Sequence, residues 1–228
     1  MYKRQASYRK VGILGAGMMG AGIAFCAAEV GMDVVLLDSS THSAARGKSY
    51  SEGLWNKRVA SKRMTEAERD AKLARIKPTT EFADLAGCDI VVEAVFEDRA
   101  VKADVTRKAE AVIAHSAIFA SNTSTLPISG LAEASARPAN FIGLHFFSPV
   151  DKMPLVEIIR GQATSDECLA RAMDFVKAIR KTPIVVNDSR GFYTSRVFST
   201  YVGEGLALLA EGVKPALIDN AGRMAGMP

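Results

Sequence analysis

The chain of 228 residues contains few of the features that mark secreted, metal-binding or membrane proteins. Its three cysteines, Cys26, Cys88 and Cys168, lie far apart in apolar or helical contexts. They form neither an even-count disulfide pattern nor a metal-ligand spacing, so we expect a reducing compartment, the cytoplasm, and no metal site. No apolar run approaches the roughly 18 residues that a membrane-spanning helix needs, so we expect no membrane contact.

The sequence also lacks net charge beyond its first residues. Its formal net charge is +4, and residues 11–228 carry 25 basic and 25 acidic side chains. The excess therefore comes from Lys3, Arg4, Arg9 and Lys10. We therefore interpret residues 1–9 as a basic tail or linker, and we expect no nucleic-acid partner.

Strand-like and helix-like segments alternate along most of the chain. This alternation predicts an α/β fold, with a Rossmann-type, mostly parallel sheet and helices on both faces. Capping boxes are predicted at TEAE, where Thr65 precedes Glu68, and at TSDE, residues 164–167. Strands are predicted at 10–15, 33–38, 89–95, 117–121, 140–147, 154–160 and 184–187, and helices at 18–31, twice within 40–76, at 99–114 and at 165–180.

The segment GAGMMG follows the first predicted strand and opens the first predicted helix. It places Gly15, Gly17 and Gly20 in the GxGxxG spacing of dinucleotide-binding turns. Gly15 permits a tight turn, Gly17 lets a pyrophosphate approach the backbone, and Gly20 lets the helix pack against the sheet. Asp38 ends the next strand, where its carboxylate can bind ribose hydroxyls and would repel a 2′-phosphate. The sequence therefore predicts NAD as the cofactor, in preference to NADP.

Polar residues follow three further predicted strands. Open α/β sheets bind ligands at the carboxyl ends of their strands, so we expect these side chains to converge on one edge. They are Glu93 and Glu97, then Ser121, Asn122, Thr123 and Ser124, and finally His145 and Ser148.

One of only three histidines, His145, lies inside an apolar predicted strand, and Glu157 lies inside the next. The oxidation of a hydroxyl group needs a base, and the histidine pKa near neutrality suits that role. A carboxylate can orient the ring and offset its charge. By pattern alone, a lone buried histidine such as His145 is more often a hydrogen-bonded core residue than a catalytic one, and Glu157 can equally be a surface residue at a strand end. In a dinucleotide-binding chain, we favour a catalytic pair.

The sequence resembles the 3-hydroxyacyl-CoA dehydrogenases, and among them the dehydrogenase portion of multifunctional fatty-acid oxidation proteins. This resemblance implies NAD-dependent oxidation of an (S)-3-hydroxyacyl-CoA to the 3-oxoacyl-CoA in fatty-acid β-oxidation. It also implies an acyl-CoA substrate and either a homodimer or a place in a larger multifunctional protein. The matching segments are KVGILGAGMMGAGIA, DIVVEAVFED, FASNTSTLPIS, GLHFFSPVDKMPLVEII and DSRGFYTSRV.

The resemblance assigns roles to individual positions. His145 would be the general base, Glu157 its partner, and Ser124 the contact to the reacting oxygen of the substrate. Ser195 stands where the family often has an asparagine at the reacting site, and Ser148 replaces the asparagine of HFFNP. The cofactor residues implied are Gly15, Ala16, Gly17, Met18, Met19, Gly20, Asp38, Ala94, Glu97, Lys102, Ser124 and Ser148.

A basic segment at 44–77 holds ten Lys and Arg residues against four acids. In the family, this region lies near coenzyme A, so Lys57 and Lys62 are candidate contacts to its phosphates, and Ser124 and Ser148 to the rest of the substrate. The alternative is a solvated helix face.

The resulting division is an NAD-binding domain at 10–188 and the start of a helical dimerisation or substrate domain at 189–228. Forty residues rarely hold a core of their own, so the second domain looks truncated. Two alternative functions remain. One is a dehydrogenase of small free acids, although its lysine motif is absent, and the other is a non-catalytic NAD-binding or crystallin-like relative, inactive through truncation.

Overall fold

We describe the fold from a computed structural model, which covers residues 6–227. Eight strands form one sheet in the order β3-β2-β1-β4-β5-β6-β7-β8. Their bounds are Lys10–Leu14 (β1), Asp33–Leu37 (β2), Ile76–Thr79 (β3), Ile90–Glu93 (β4), Ile118–Ser121 (β5), Phe141–Phe146 (β6), Leu155–Arg160 (β7) and Thr182–Asn187 (β8).

The sheet is parallel except where β6 meets β7. In this antiparallel pair, His145 lies directly opposite Glu157. Side chains at directly opposite positions of neighbouring strands project from the same face of the sheet. The chain reversal between β6 and β7 therefore brings together two residues that are twelve positions apart.

Helices cover both faces of the sheet and bury two apolar clusters, which confirms the predicted fold class. The first helix is buried along most of its length, from Gly20 to Ala28. The helices are Met18–Glu29 (α1), Thr41–Ala60 (α2), Glu66–Ala74 (α3), Arg99–Glu110 (α4), Ile128–Ala132 (α5), Asp166–Ala178 (α6), Thr194–Ala210 (α7) and Pro215–Met224 (α8).

Three local features differ from the sequence-based expectation. The edge strand β3 was not predicted, because Pro78 interrupts its short apolar pattern. The short helix α5 was not predicted either. The capping box of TEAE is confirmed at Thr65 and Glu68, but that of TSDE is wrong. Ser165 caps α6, while the Thr164 hydroxyl donates to the Phe141 carbonyl instead.

The basic tail is attached to the domain from Ala6 onward, whereas residues 1–5 lie outside the described part of the chain. Tyr8 is buried, and its hydroxyl donates to the Arg171 carbonyl on α6 at 2.6 Å. The Ala6 N–H donates to the Asp174 carboxylate on the same helix at 3.0 Å. The backbone of Arg9 then leads into β1.

At the other end of the chain, α7 and α8 bury none of their residues. Large apolar side chains, including those of Phe198, Leu206 and Leu217, are more than half exposed. The division of the chain near residue 188 stays a prediction.

Candidate functional site

The glycine turn between β1 and α1 has the geometry of a dinucleotide-binding loop. Gly15 has φ +92°, a left-handed conformation that favours glycine, and a Cβ there would lie 2.6 Å from the Ala94 carbonyl oxygen. A Cβ on Gly20 would lie 1.8 Å from the Gly15 carbonyl oxygen. Both positions therefore require glycine for backbone packing, and this packing places the start of α1 against the end of β1.

Gly17, in contrast, faces open space. A Cβ at this position would have no atom within 4 Å. Gly17 is also the N-cap of α1, so no side chain accepts hydrogen bonds from the first-turn N–H groups. An uncapped helix N-terminus beside a residue without a side chain is a cradle for a phosphate group. The residues present therefore fit the pyrophosphate of NAD.

Asp38 connects the glycine turn to the end of β2. Its Oδ2 accepts a hydrogen bond from the Ala16 N–H at 2.7 Å, and its Oδ1 accepts one from the Ser39 N–H at 2.7 Å. Oδ2 keeps a lone pair for a ribose hydroxyl, whereas Oδ1 also accepts a hydrogen bond from the Ser39 hydroxyl at 3.1 Å. Asp38 thus lies where an adenosine ribose would follow a pyrophosphate bound at Gly17.

A cleft of about 670 Å³ opens beside the turn. Six of the predicted cofactor residues line it, and its apolar walls suit a nucleobase. Lys108 of α4 also lines the cleft, and the sequence did not suggest this, because 70 positions separate it from Asp38. The six predicted residues are Gly15, Gly17, Met18, Met19, Asp38 and Ala94.

Glu97 and Lys102 lie in a network beside this cleft. The Lys102 ammonium is buried between two carboxylates, 2.8 Å from Glu93 and 3.0 Å from Glu97. Burial acts to raise the pKa of Glu97, but the hydrogen bond from Thr123 and the charge of Lys102 outweigh it and hold the pKa below its usual range. The Ser124 N–H donates to Glu97 at 3.3 Å. The ionised carboxylate of Glu97 therefore holds the Ser124 loop in place. Lys102 affects this loop through its ion pair with Glu97.

The loops after β5, β6 and β1 contact one another. The Asn122 side-chain oxygen accepts a hydrogen bond from the Phe146 N–H at 2.9 Å, which ties β5 to the residue after His145. The sequence did not predict this hydrogen bond between Asn122 and Phe146. Ser148 lies 3.5 Å from the sulfur of Met18 in the glycine turn. The structure thus brings the predicted loops to one edge, although Ser124, His145 and Ser148 do not line the cleft itself.

His145 and Glu157 form a buried pair. The His145 Nδ1 lies 2.7 Å from Oε2 of Glu157, whose side chain is fully buried. An ionised carboxylate only accepts hydrogen bonds, so Nδ1 carries the proton and Nε2 keeps its lone pair. The ring packs against Phe147, with 4.4 Å between ring centroids. A histidine held in this tautomer can accept a proton at Nε2.

The start of α7 completes the surroundings of Glu157. The N–H groups of Tyr193 and Thr194 donate to Oε1 at 3.1 and 2.8 Å, and the Thr194 hydroxyl donates to Oε2 at 2.9 Å. Sequence reasoning did not name Thr194; it named the neighbouring Ser195 at the reacting site, and that role stays a prediction. Ser195 is half-buried in the first turn of α7, and the described residues show no hydrogen bond from it to the pair.

Lys57 and Lys62 lie apart from this edge. Both are exposed, in the last turn of α2 and just beyond it. Trp55, in the same part of α2, donates to Glu29 at the end of α1, which is the end remote from the glycine turn. Their predicted contact to coenzyme A stays a prediction.

Within residues 6–227, no three potential metal-ligating side chains cluster together. Across the same residues, no helix combines the length and apolarity needed to cross a membrane. The three cysteines are free and buried.

Two family models match this chain. The family model described as "3-hydroxyacyl-CoA dehydrogenase, NAD binding domain" matches residues 10–189, and the one described as "3-hydroxyacyl-CoA dehydrogenase, C-terminal domain" matches residues 191–228. The fatty acid oxidation complex subunit alpha of Acinetobacter baylyi is 43% identical over 216 residues, which are 95% of this chain and 30% of that protein. Its counterpart in Shewanella baltica is 44% identical over 221 residues, 96% of this chain and 31% of that protein.

Solved structures give the same result. The (S)-3-hydroxybutyryl-CoA dehydrogenase of Ralstonia eutropha superimposes with a TM-score of 0.88 at 39% identity, covering 91% of this chain and 74% of that one. The 3-hydroxybutyryl-CoA dehydrogenase of Escherichia coli gives 0.88 at 32% identity, covering 92% of this chain and 44% of that one. This chain thus spans less than a third of the length of the oxidation-complex relatives. By these matches, it belongs to the 3-hydroxyacyl-CoA dehydrogenase family and contains that family's NAD-binding domain.

Proposed function

We propose that this chain catalyses the NAD-dependent oxidation of an (S)-3-hydroxyacyl-CoA to the 3-oxoacyl-CoA, a step of fatty-acid oxidation. The observation that carries the proposal is the buried pair of His145 and Glu157 at the strand edge that also bears the dinucleotide turn. The names of the Acinetobacter and Shewanella relatives support a place in a larger oxidation complex. The reducing conditions inferred from the free cysteines support a cytoplasmic location.

In the proposed reaction, Nε2 of His145 takes the proton of the substrate hydroxyl as the carbonyl forms. Glu157 keeps Nδ1 protonated and stabilises the imidazolium that results, since both partners are buried. The Ser124 hydroxyl donates a hydrogen bond to the substrate oxygen, and Glu97 holds the backbone of Ser124 in place. When NAD is bound, its nicotinamide ring accepts the hydride. Exposed Lys57 and Lys62 bind the phosphates of coenzyme A.

The test measures NADH formation from (S)-3-hydroxybutyryl-CoA by the wild-type chain and by His145→Ala. We expect the variant to lose at least about a hundredfold in kcat, the usual contribution of a general base. NADH binding, followed by fluorescence titration, should change little because His145 does not line the cofactor cleft. Equal rates would contradict the assignment of the base. NADH binding without turnover by the wild type would favour the non-catalytic alternative.

A further inference from the structure

Glu157 receives more hydrogen bonds than a pair with His145 requires. Two donors reach Oε2, namely the His145 ring and the Thr194 hydroxyl, and two backbone N–H groups reach Oε1. The carboxylate is fully buried, so each lost donor leaves a charged oxygen short of a partner away from water. The four donors therefore determine how the carboxylate is oriented.

Three of these four donors come from Tyr193 and Thr194, at the start of the helical segment. Glu157 itself belongs to the sheet, 36 and 37 positions earlier in the chain. The helix α7 has no buried residue of its own. Its attachment to the sheet domain includes Phe192, which is 2% exposed, the hydrogen bonds to Glu157, and one from Arg196 to Ser189. The carboxylate that holds the ring of His145 is thus also the anchor of α7.

The Thr194 hydroxyl differs from the two backbone donors, because it shares Oε2 with the ring nitrogen. The distances from Oε2 are 2.7 Å to Nδ1 of His145 and 2.9 Å to the Thr194 oxygen. A donor on this oxygen opposes rotation of the carboxylate away from the ring. Without this hydroxyl, Oε2 would keep the His145 ring as its one protein donor, while the two backbone N–H groups would still hold Oε1.

We propose that Thr194 is a positioning residue for the His145–Glu157 pair, so that the geometry of the base depends on the seating of the first turn of α7. The inference rests on the proposed function for its catalytic consequence. Its structural part stands independently, because the orientation of His145 can be observed without turnover. In this role, Thr194 contacts neither substrate nor cofactor and acts only through Glu157.

The experiment compares Thr194→Val, which has nearly the same shape and lacks the hydroxyl, with Thr194→Ser, which keeps the hydroxyl. Thr200→Val is the matched control, because Thr200 is an exposed residue of the same helix whose hydroxyl donates to the Val197 carbonyl. Selective ¹⁵N labelling of histidine gives only three rings to assign, His42, His115 and His145. The first two are exposed, so the ring of His145 should give the distinct, downfield Nδ1 proton of a short hydrogen bond to a carboxylate.

We expect Thr194→Val to shift or broaden the Nδ1 proton signal and to lower kcat about tenfold, the scale of one lost hydrogen bond to a charged group. The dissociation constant of NADH should stay unchanged. Thr194→Ser should restore both the signal and most of kcat, and Thr200→Val should match the wild type. A wild-type signal and wild-type kcat in Thr194→Val would overturn the proposal.

Two further outcomes have defined meanings. If Thr194→Val does not fold, Thr194→Ala replaces it, and the Ala and Ser variants then differ by one oxygen atom. If no protein in the set shows turnover, the proposed function has failed for this chain. The ring signal still decides the role of Thr194, since an identical signal in the Ala and Ser variants would refute it.

Discussion

The Lys102 ammonium lies 2.8 Å from the Glu93 carboxylate, and the two side chains are only 2% and 1% exposed. Glu93 also accepts hydrogen bonds from the Ser121 hydroxyl and the Val95 N–H. Lys102 therefore joins the strand β4 to the helix α4 beneath the Ser124 loop. The family resemblance placed Lys102 among the cofactor contacts. In the structure, its ammonium lies between the carboxylates of Glu93 and Glu97.

Lys102→Met should destabilise the fold by about 3–5 kcal/mol, because it leaves the buried carboxylate of Glu93 without its counter-charge. The free energy of unfolding in urea measures the effect. Lys108→Met is the matched control on the same helix, since Lys108 and Asp104 form an exposed ion pair worth less than about 1 kcal/mol. Equal losses in the two variants would mean that the buried pair contributes no more than a surface pair.

Substitution of two glycines in the turn should affect different properties, NADH binding in one case and the stability of the fold in the other. Gly17→Ala adds a methyl group to open space, so the fold should remain stable while NADH binding weakens about tenfold or more, through a clash with the pyrophosphate. Gly20→Ala places its Cβ 1.8 Å from a backbone oxygen and should cost about 3 kcal/mol or more of stability. Thermal unfolding and NADH fluorescence titration separate the two effects. Full NADH affinity in Gly17→Ala would argue against a phosphate at this position.

Asp38→Asn should reduce the preference for NAD. The amide oxygen can still accept the Ala16 N–H, but the charge that repels a 2′-phosphate is gone, and Lys108 lines the same cleft. We expect NADPH to bind about tenfold more tightly than to the wild type, the effect of one charge near a surface. Asp33→Asn, at the exposed start of β2, serves as the control. An unchanged ratio of NADH to NADPH dissociation constants would show that Asp38 does not select the cofactor.

Local sequence signals were enough to predict the sheet domain and its dinucleotide turn, because each strand, helix and glycine requirement arises from neighbours in the chain. Contacts that depend on the packing of distant segments were not predictable. Lys108 reaches the cleft of Asp38 because α4 packs against β4 and the segment around Phe82. Thr194, rather than Ser195, faces Glu157 because the docking of α7 sets which side chain of its first turn points inward. The direct opposition of His145 and Glu157 follows from the antiparallel register of β6 and β7.

Glu29 should make the stability of the fold sensitive to acid. Burial acts to raise the pKa of Glu29, but the hydrogen bond from Trp55 and the charges of Arg58 and Lys72 outweigh it and hold the pKa below its usual range. In the unfolded chain, the same group takes up a proton near pH 4.3. Its stabilising contribution is therefore fully present above that pH and is lost as pH falls through the lower value of the folded state.

Glu29→Gln removes this contribution, so its difference in unfolding free energy from the wild type should be largest near pH 7 and should shrink below about pH 4.3. Trp55 is the only tryptophan of the chain, is fully buried and binds Glu29 at 2.7 Å, so its fluorescence reports unfolding at this cluster directly. Glu133→Gln removes an exposed glutamate elsewhere and controls for the loss of one negative charge. The difference in unfolding free energy between Glu29→Gln and the wild type could instead stay constant between pH 7 and about pH 3. That result would mean that the donors around Glu29 do not favour its ionised form in the folded state.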